Sequence, residues 1–217
     1  MADEKKDNSP SDNETPSDTA RLEAFSDGVV AIAVTLLVLN IQVPPHPRGQ
    51  LLTALTRIWP SYLAYLASFL TVGIIWMNHH TFFRRLRHAD HVIQWWNLML
   101  LLAVSIVPFP TAVLAANTMH SDHRDAATAA ALYGMAGVGV IIPWMSLWRR
   151  LVQRPALLRR GFDAEFARRE VIRAWLGLAI CTGCIVVGLF VPAAALALYL
   201  ITSVFYAVTG QGWWAKS

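Results

Sequence analysis

The chain has 217 residues, of which 55% are hydrophobic and 15% charged, and its mean hydropathy is +0.43. A soluble domain carries about a quarter charged residues, so this composition excludes an ordinary globular protein and marks a polytopic membrane protein. The net charge of +4 would suggest nucleic acid in a soluble chain. Here the arginines flank apolar segments, so membrane orientation accounts for them and no nucleic-acid partner is expected.

Residues 1–20 carry six acidic groups, two lysines and two prolines, with almost nothing apolar. They are expected to form a disordered acidic tail, not a signal peptide, ahead of a membrane domain over 21–217. The first predicted span, 22–43, is long enough as a helix to cross a hydrocarbon core of about 30 Å. From Gly28 to Leu39 it holds one hydroxyl, Thr35, and no charge. On a helical wheel of about 100° per residue, Arg21, Gly28, Ile32, Thr35, Leu39 and Gln42 fall close to one line. A helix anchored only in lipid has no use for such a stripe, whereas a helix lining a narrow path does. Small contacts inside a helix bundle are the other reading of Gly28 and Thr35. Pro44, Pro45 and Pro47 then end the span.

The second span is predicted over 57–83, with Trp59 and Tyr62 at one interface and Arg84, Arg85 and Arg87 at the other. The third, 92–114, should be kinked or ended early by Pro108 and Pro110. The fourth, 126–148, is built on Ala130, Gly134, Gly137 and Gly139, which suits close helix approach. The arginine-rich stretch from Arg149 to Arg169 is expected to lie on the membrane surface as an interfacial helix. Spans five and six are predicted over 171–191 and 193–214, separated by Pro192. Trp59, Trp95, Trp144, Trp148, Trp213 and Trp214 read as interface anchors, and Trp76 as a deeper residue. Cys181 and Cys184 form a CxxC pair in an apolar segment with no cation nearby, and read as packing residues.

Six spans put both termini on one side. The second-to-third and fourth-to-fifth connections carry eleven arginines between Arg84 and Arg173, and the opposite connections carry three, Arg48, Arg57 and Arg124. The positive-inside rule then places both termini in the cytoplasm. In that orientation Arg21, Ser26 and Asp27 share a membrane depth with Asn78, His79 and His80. Polar groups there must pair or face water. Arg21, Ser26, Asp27, Trp76, Asn78 and one of the histidines 79 and 80 are expected to form a hydrogen-bonded network. A proton relay through His79 or His80 is an alternative role. Adjacent histidines diverge by about 100° on a helix, so a shared metal ion is disfavoured. No metal and no cofactor is expected.

The segment RLEAFSD, with Arg21, Phe25, Ser26 and Asp27, resembles the RxxxFSD signature of the lysosomal and endosomal potassium channel family and its prokaryotic relatives. GIIWMNHH, Gly73 to His80, is a second match. The resemblance implies an all-α membrane protein of six transmembrane helices, a homotetramer, with the first helix lining a central pore. It also implies a hydrophobic constriction five residues after the signature aspartate, at Ile32, with further layers at Thr35 and Leu39. The helical wheel reaches the same stripe without the family. The family's polar cluster is understood to hold the pore helix. No TVGYG-like segment occurs, so a carbonyl-ring filter is not expected.

The resulting expectation is a potassium-selective or potassium-preferring channel in the plasma membrane. Its partners would be its own copies, lipids and potassium ions. A proton- or cation-coupled secondary transporter is the alternative. It would need intramembrane carboxylates as coupling sites, and Asp27 alone could lie well inside a span. An enzyme would need a nucleophile–base pair or metal cluster that the sequence does not display.

Overall fold

The computed structural model describes residues 18–117, 122–159, 161 and 164–209. Within these the chain is all helical, apart from one isolated bridge between Leu86 and Leu158. Five helical stretches are long and apolar enough to cross a membrane: Thr19–Asn40, Trp59–Arg85, His91–Asn117, His123–Gln153 and Glu165–Phe190. A further helix, Pro192–Thr209, follows them. The sixth predicted span reaches 214, and its end, with Trp213 and Trp214, lies outside the described residues, as does the expected tail up to residue 17. Asp18 to Ala20 are already helical, so the tail boundary at 20 moves back.

Helix α1, Asp18–Leu36, tightens into a 3-10 turn over Leu37–Asn40, and Ile41 is extended. Gln42 therefore leaves the helical stripe on which a regular wheel placed it. Asn40 turns inward and donates to the Pro108 carbonyl at 2.9 Å. After the prolines a short helix, α2 (Leu51–Arg57), precedes α3 (Trp59–Arg85). Sequence periodicity did not signal α2, because seven residues with no buried position carry no amphipathic pattern. The third predicted span is divided. α4 (His91–Ile106) gives way at Val107 to α5 (Pro108–Asn117). Pro108 and Pro110 each lack an N–H, and their rings clash with the preceding turn, so the break falls there.

α6 (His123–Gln153) is longer than expected and carries Pro143 inside it. It packs most extensively on α7 (Ala164–Phe190), and α8 (Pro192–Thr209) closes the group. Small residues make the α6–α7 approach possible. A Cβ on Gly134 would collide with Ile185 Cγ1, and one on Gly137 would sit 2.9 Å from the Cys181 sulfur. Close backbone approach matters in lipid, where apolar burial alone does not drive helices together.

Among the described residues, the arginine-rich connection holds no separate interfacial helix beyond the 3-10 turn Pro155–Leu157. Arg149 to Gln153 continue α6, and Glu165 to Arg173 are the opening turns of α7. Between them the chain pairs with the end of α3: the Arg87 N–H donates to the Leu157 carbonyl (2.8 Å) and the Arg159 N–H to the Arg85 carbonyl (2.9 Å). Trp148 is likewise no interface anchor. It is fully buried, edge-on to Phe82 at 5.0 Å, because α6 runs past the expected boundary.

Asp90 caps α4 by accepting from the Ile93 N–H at 2.9 Å, and its other oxygen accepts from Arg150 Nε and Nη2 at 2.9 and 2.6 Å. This joins the α3–α4 loop to the end of α6. Partial burial would raise the carboxyl pKa, but the Ile93 N–H and the Arg150 guanidinium outweigh it and hold the group below its ordinary 3.8. A depressed folded pKa stabilises above the unfolded value, and that contribution is lost as pH falls through the folded one. Asp90→Asn is expected to lower thermal stability in detergent by about 1–3 kcal/mol at pH 7. The gap to the parent protein should narrow as the pH drops below 3.8. A gap that does not change with pH would mean that the carboxylate charge is irrelevant.

Candidate functional site

α1 presents two apolar faces. Ser26, Val30, Ala33 and Leu37 are buried against the rest of the chain. Phe25, Ile32 and Leu39 point away from it, 57%, 62% and 66% exposed, with Gly28 and Thr35 also open. The Thr35 hydroxyl donates to the Ile32 carbonyl at 2.9 Å. Its proton is thus committed to the helix, and its oxygen lone pairs are left for the outward side. Ile32, Thr35 and Leu39 therefore make an unpartnered stripe on this chain, with one hydroxyl oxygen between two branched apolar side chains.

The inward face is held by a buried chain of hydrogen bonds whose direction can be followed. Ser26 Oγ donates to the Leu22 carbonyl at 2.8 Å, so its oxygen accepts from Asn97 Nδ2 at 2.9 Å. Asn97 Oδ1 then faces His79 Nε2 at 2.8 Å, which makes Nε2 the protonated nitrogen of His79. His79 Nδ1 has no hydrogen-bond partner, and the ring packs 4.5 Å from the Phe83 ring. Ser26 and Asn97 are fully buried and His79 is 1% exposed, so the chain joins α1, α3 and α4 away from solvent.

Two further contacts lie at the rim. Trp76 Nε1 donates to Asp27 Oδ1 at 2.9 Å. His80 Nδ1 is 2.9 Å from Glu23 Oε1, with side chains 52% and 24% exposed. The expected network thus divides into a buried part through His79 and a rim through His80. The two histidines reach different partners, so they do not converge on one ligand.

Arg21 and Asn78 do not join these bonds. Arg21 is exposed, on the face of α1 turned away from the buried Ser26. Asn78 is one residue from His79, so its side chain is about 100° away and lines a cavity on the other side of α3. Two members of the cluster, Asn97 and Glu23, were missing from the expectation. Asn97 had a signal: it is a single amide inside the apolar run WWNLMLLL, and a polar group at that depth needs a partner. Glu23 lies one turn before Asp27 and shares its face.

Residues 21–108 match the model of a family described as endosomal/lysosomal potassium channel TMEM175. The chain is similar to a potassium channel of Chamaesiphon minutus, 43% identical over 150 residues, covering 68% of this chain and 72% of that one. It is also similar to a potassium channel of Streptomyces collinus, 43% identical over 161 residues, covering 74% and 77%. Among solved structures it resembles the lysosomal potassium-selective channel TMEM175 homolog from Chamaesiphon minutus. There the TM-score is 0.78 and the identity 32%, over 88% of this chain and 97% of the other.

Proposed function

The chain belongs to the TMEM175 family of potassium channels, and from that premise we propose how its own residues conduct. It is a potassium channel and not an enzyme. Four copies assemble in the plasma membrane, each with six spans and cytoplasmic termini. The α1 helices surround the axis, and the outward stripe becomes the pore wall. The observation that carries this reading is the division of α1: an inner face pinned through Ser26 opposite an open face of Ile32, Thr35 and Leu39.

Ile32 and Leu39 form apolar rings, and the Thr35 hydroxyls supply oxygen ligands between them. An ion crossing an apolar ring must shed part of its hydration shell. Potassium holds its water less tightly than sodium, so a narrow apolar ring favours potassium without a carbonyl cage. The same rings can close the path by dewetting. No cofactor takes part. Arg21 and Asp27 stay at the entrance, where water screens their charge.

Potassium and sodium flux from purified protein in liposomes tests the reading. Passive potassium flux that exceeds sodium flux, with no second ion required, is the expected result. Flux that needs a proton or sodium gradient would replace the channel by a coupled transporter.

A further inference from the structure

A cavity of about 190 Å³ runs between α3, α6, α7 and α8, on the side of α3 away from the polar cluster. Along α7 it is lined by Glu170, Arg173, Ala174, Gly177, Cys181 and Cys184. Glu170, Ala174, Gly177, Cys181 and Cys184 advance by three or four residues, with Arg173 beside them, and form one helical stripe about 21 Å long. A volume this small spread over that length is a slot one hydrocarbon chain wide.

The two ends differ. At one end stand Asn78, Trp144 and the Glu170–Arg173 pair, whose side chains meet at 3.3 Å, with Glu170 8% and Arg173 30% exposed. At the other end the side-chain donors are bonded within the protein. Thr71 bonds the Ala67 carbonyl and Ser203, Tyr199 bonds the Ala130 carbonyl, Tyr133 bonds Ser68, and the Cys181 thiol bonds the Gly134 carbonyl. With those polar atoms satisfied by protein, the slot meets its occupant with methyl groups, ring edges and sulfur. That surface suits hydrocarbon rather than water or an ion.

Depth selects the occupant. Arg173 is the last charged residue of α7, and the helix then runs uncharged to Phe190. The midpoint of that run falls at Cys181, so the slot descends from the level of the charged boundary to the middle of the membrane. Half of a hydrocarbon core is about 15 Å, with several more ångströms to the headgroup region. The slot therefore has the reach of one leaflet, with a guanidinium where a lipid phosphate lies.

We propose that this slot is a binding site for one acyl chain of an anionic phospholipid, its phosphate at Arg173 and its chain end beside Cys181 and Cys184. An acyl chain seated there fills the space between α6, α7 and α3, and so backs the helix that carries Trp76, His79 and His80. The inference rests on membrane embedding and not on the pore assignment.

Photo-crosslinking of the full chain reconstituted in bilayers tests it. The probes are phosphatidylglycerol and phosphatidylcholine carrying a diazirine either at the chain terminus or next to the ester, and a free fatty acid with the terminal diazirine. Terminal-diazirine phosphatidylglycerol should give adducts in the Cys181–Cys184 stretch and at Thr202 or Ser203, and the ester-proximal probe at Trp144 or Ala174. Ala136→Leu and Ala174→Leu, which narrow the slot from opposite walls, should abolish these adducts while preserving those on the open face at Ile172, Trp175 and Leu176. Adducts confined to that open face would overturn the proposal. So would labelling by the free fatty acid alone, or phosphatidylcholine labelling equal to phosphatidylglycerol. If neither variant folds, the depth pattern in the parent protein decides by itself. Flux enters none of these readouts, so a failed pore assignment leaves the result interpretable.

Discussion

Ile32→Ala is expected to raise total cation flux and to remove most of the preference for potassium over sodium. Ile32 is 62% exposed, and its side chain takes no part in the Ser26–Asn97–His79 bonds that hold α1, so its replacement leaves them intact. In the proposed tetramer it is the narrowest apolar layer. Alanine removes three carbons from each of four copies, and an ion can then pass with more of its water. Selectivity by partial dehydration depends on the difference in cost between two ions, and a tenfold preference corresponds to about 1.4 kcal/mol. Widening the ring should therefore lower the preference by about tenfold or to near unity, whichever comes first. Thr35→Val gives the complementary case: it keeps the width and removes the oxygen, so potassium flux should fall while the preference changes less. Liposome flux with matched potassium and sodium gradients reads both. Unaltered conductance and selectivity in Ile32→Ala would remove this residue from the constriction.

The second large effect is expected at Asn97, away from the pore. Asn97→Leu has a similar volume but deletes both the acceptor for His79 and the donor to Ser26. His79 Nδ1 is already without a partner, so the variant leaves the whole imidazole bare in an apolar site. Each buried polar group stranded in this way costs about 1–3 kcal/mol. Interhelical hydrogen bonds in membranes average nearer 0.6 kcal/mol, because a helix separated in lipid finds other partners. The stranding term is the larger of the two, and a loss of about 2–3 kcal/mol is expected in thermal unfolding of the detergent-solubilised protein. Flux should fall as well, since α1 loses its side-chain hydrogen bond to α4. Trp76→Phe deletes a more exposed bond to Asp27, with Trp76 46% exposed, and should lose under about 1 kcal/mol. Equal stability of Asn97→Leu and Trp76→Phe would show that the buried chain does not hold the helix.

Some of this architecture follows from the chain alone. Apolar length marks the membrane-crossing stretches, because the hydrocarbon core demands about 20 residues per helix. Pro108 and Pro110 mark the break between α4 and α5, because a ring without an N–H stops the ladder wherever it stands. That Ile32 and Thr35 share one face follows from helical periodicity, as long as the helix stays regular. Trp76 with Asp27 also follows, from two polar groups forced to the same depth.

Tertiary structure decided the rest. In lipid both faces of α1 are apolar, so composition cannot say which one packs inward. Ser26 is the buried side because Asn97 reaches it across 71 residues of sequence, and His79 enters through the same amide across 18. No local pattern encodes such partners. Arg21 and Asn78 have the right depth and the wrong direction. Where α1 tightens at Leu37 and opens at Ile41, the wheel loses Gln42, since a change in turns per residue shifts every later side chain. The arginine-rich connection reads as a surface helix by composition. It becomes the ends of α6 and α7 because backbone bonds to α3 at Arg85 and Arg87 are available only after the bundle has formed. Sequence sets which residues must leave water and how far each helix runs. Packing sets which of them meet, because depth and spacing leave the azimuth of every helix free until its neighbours are in place.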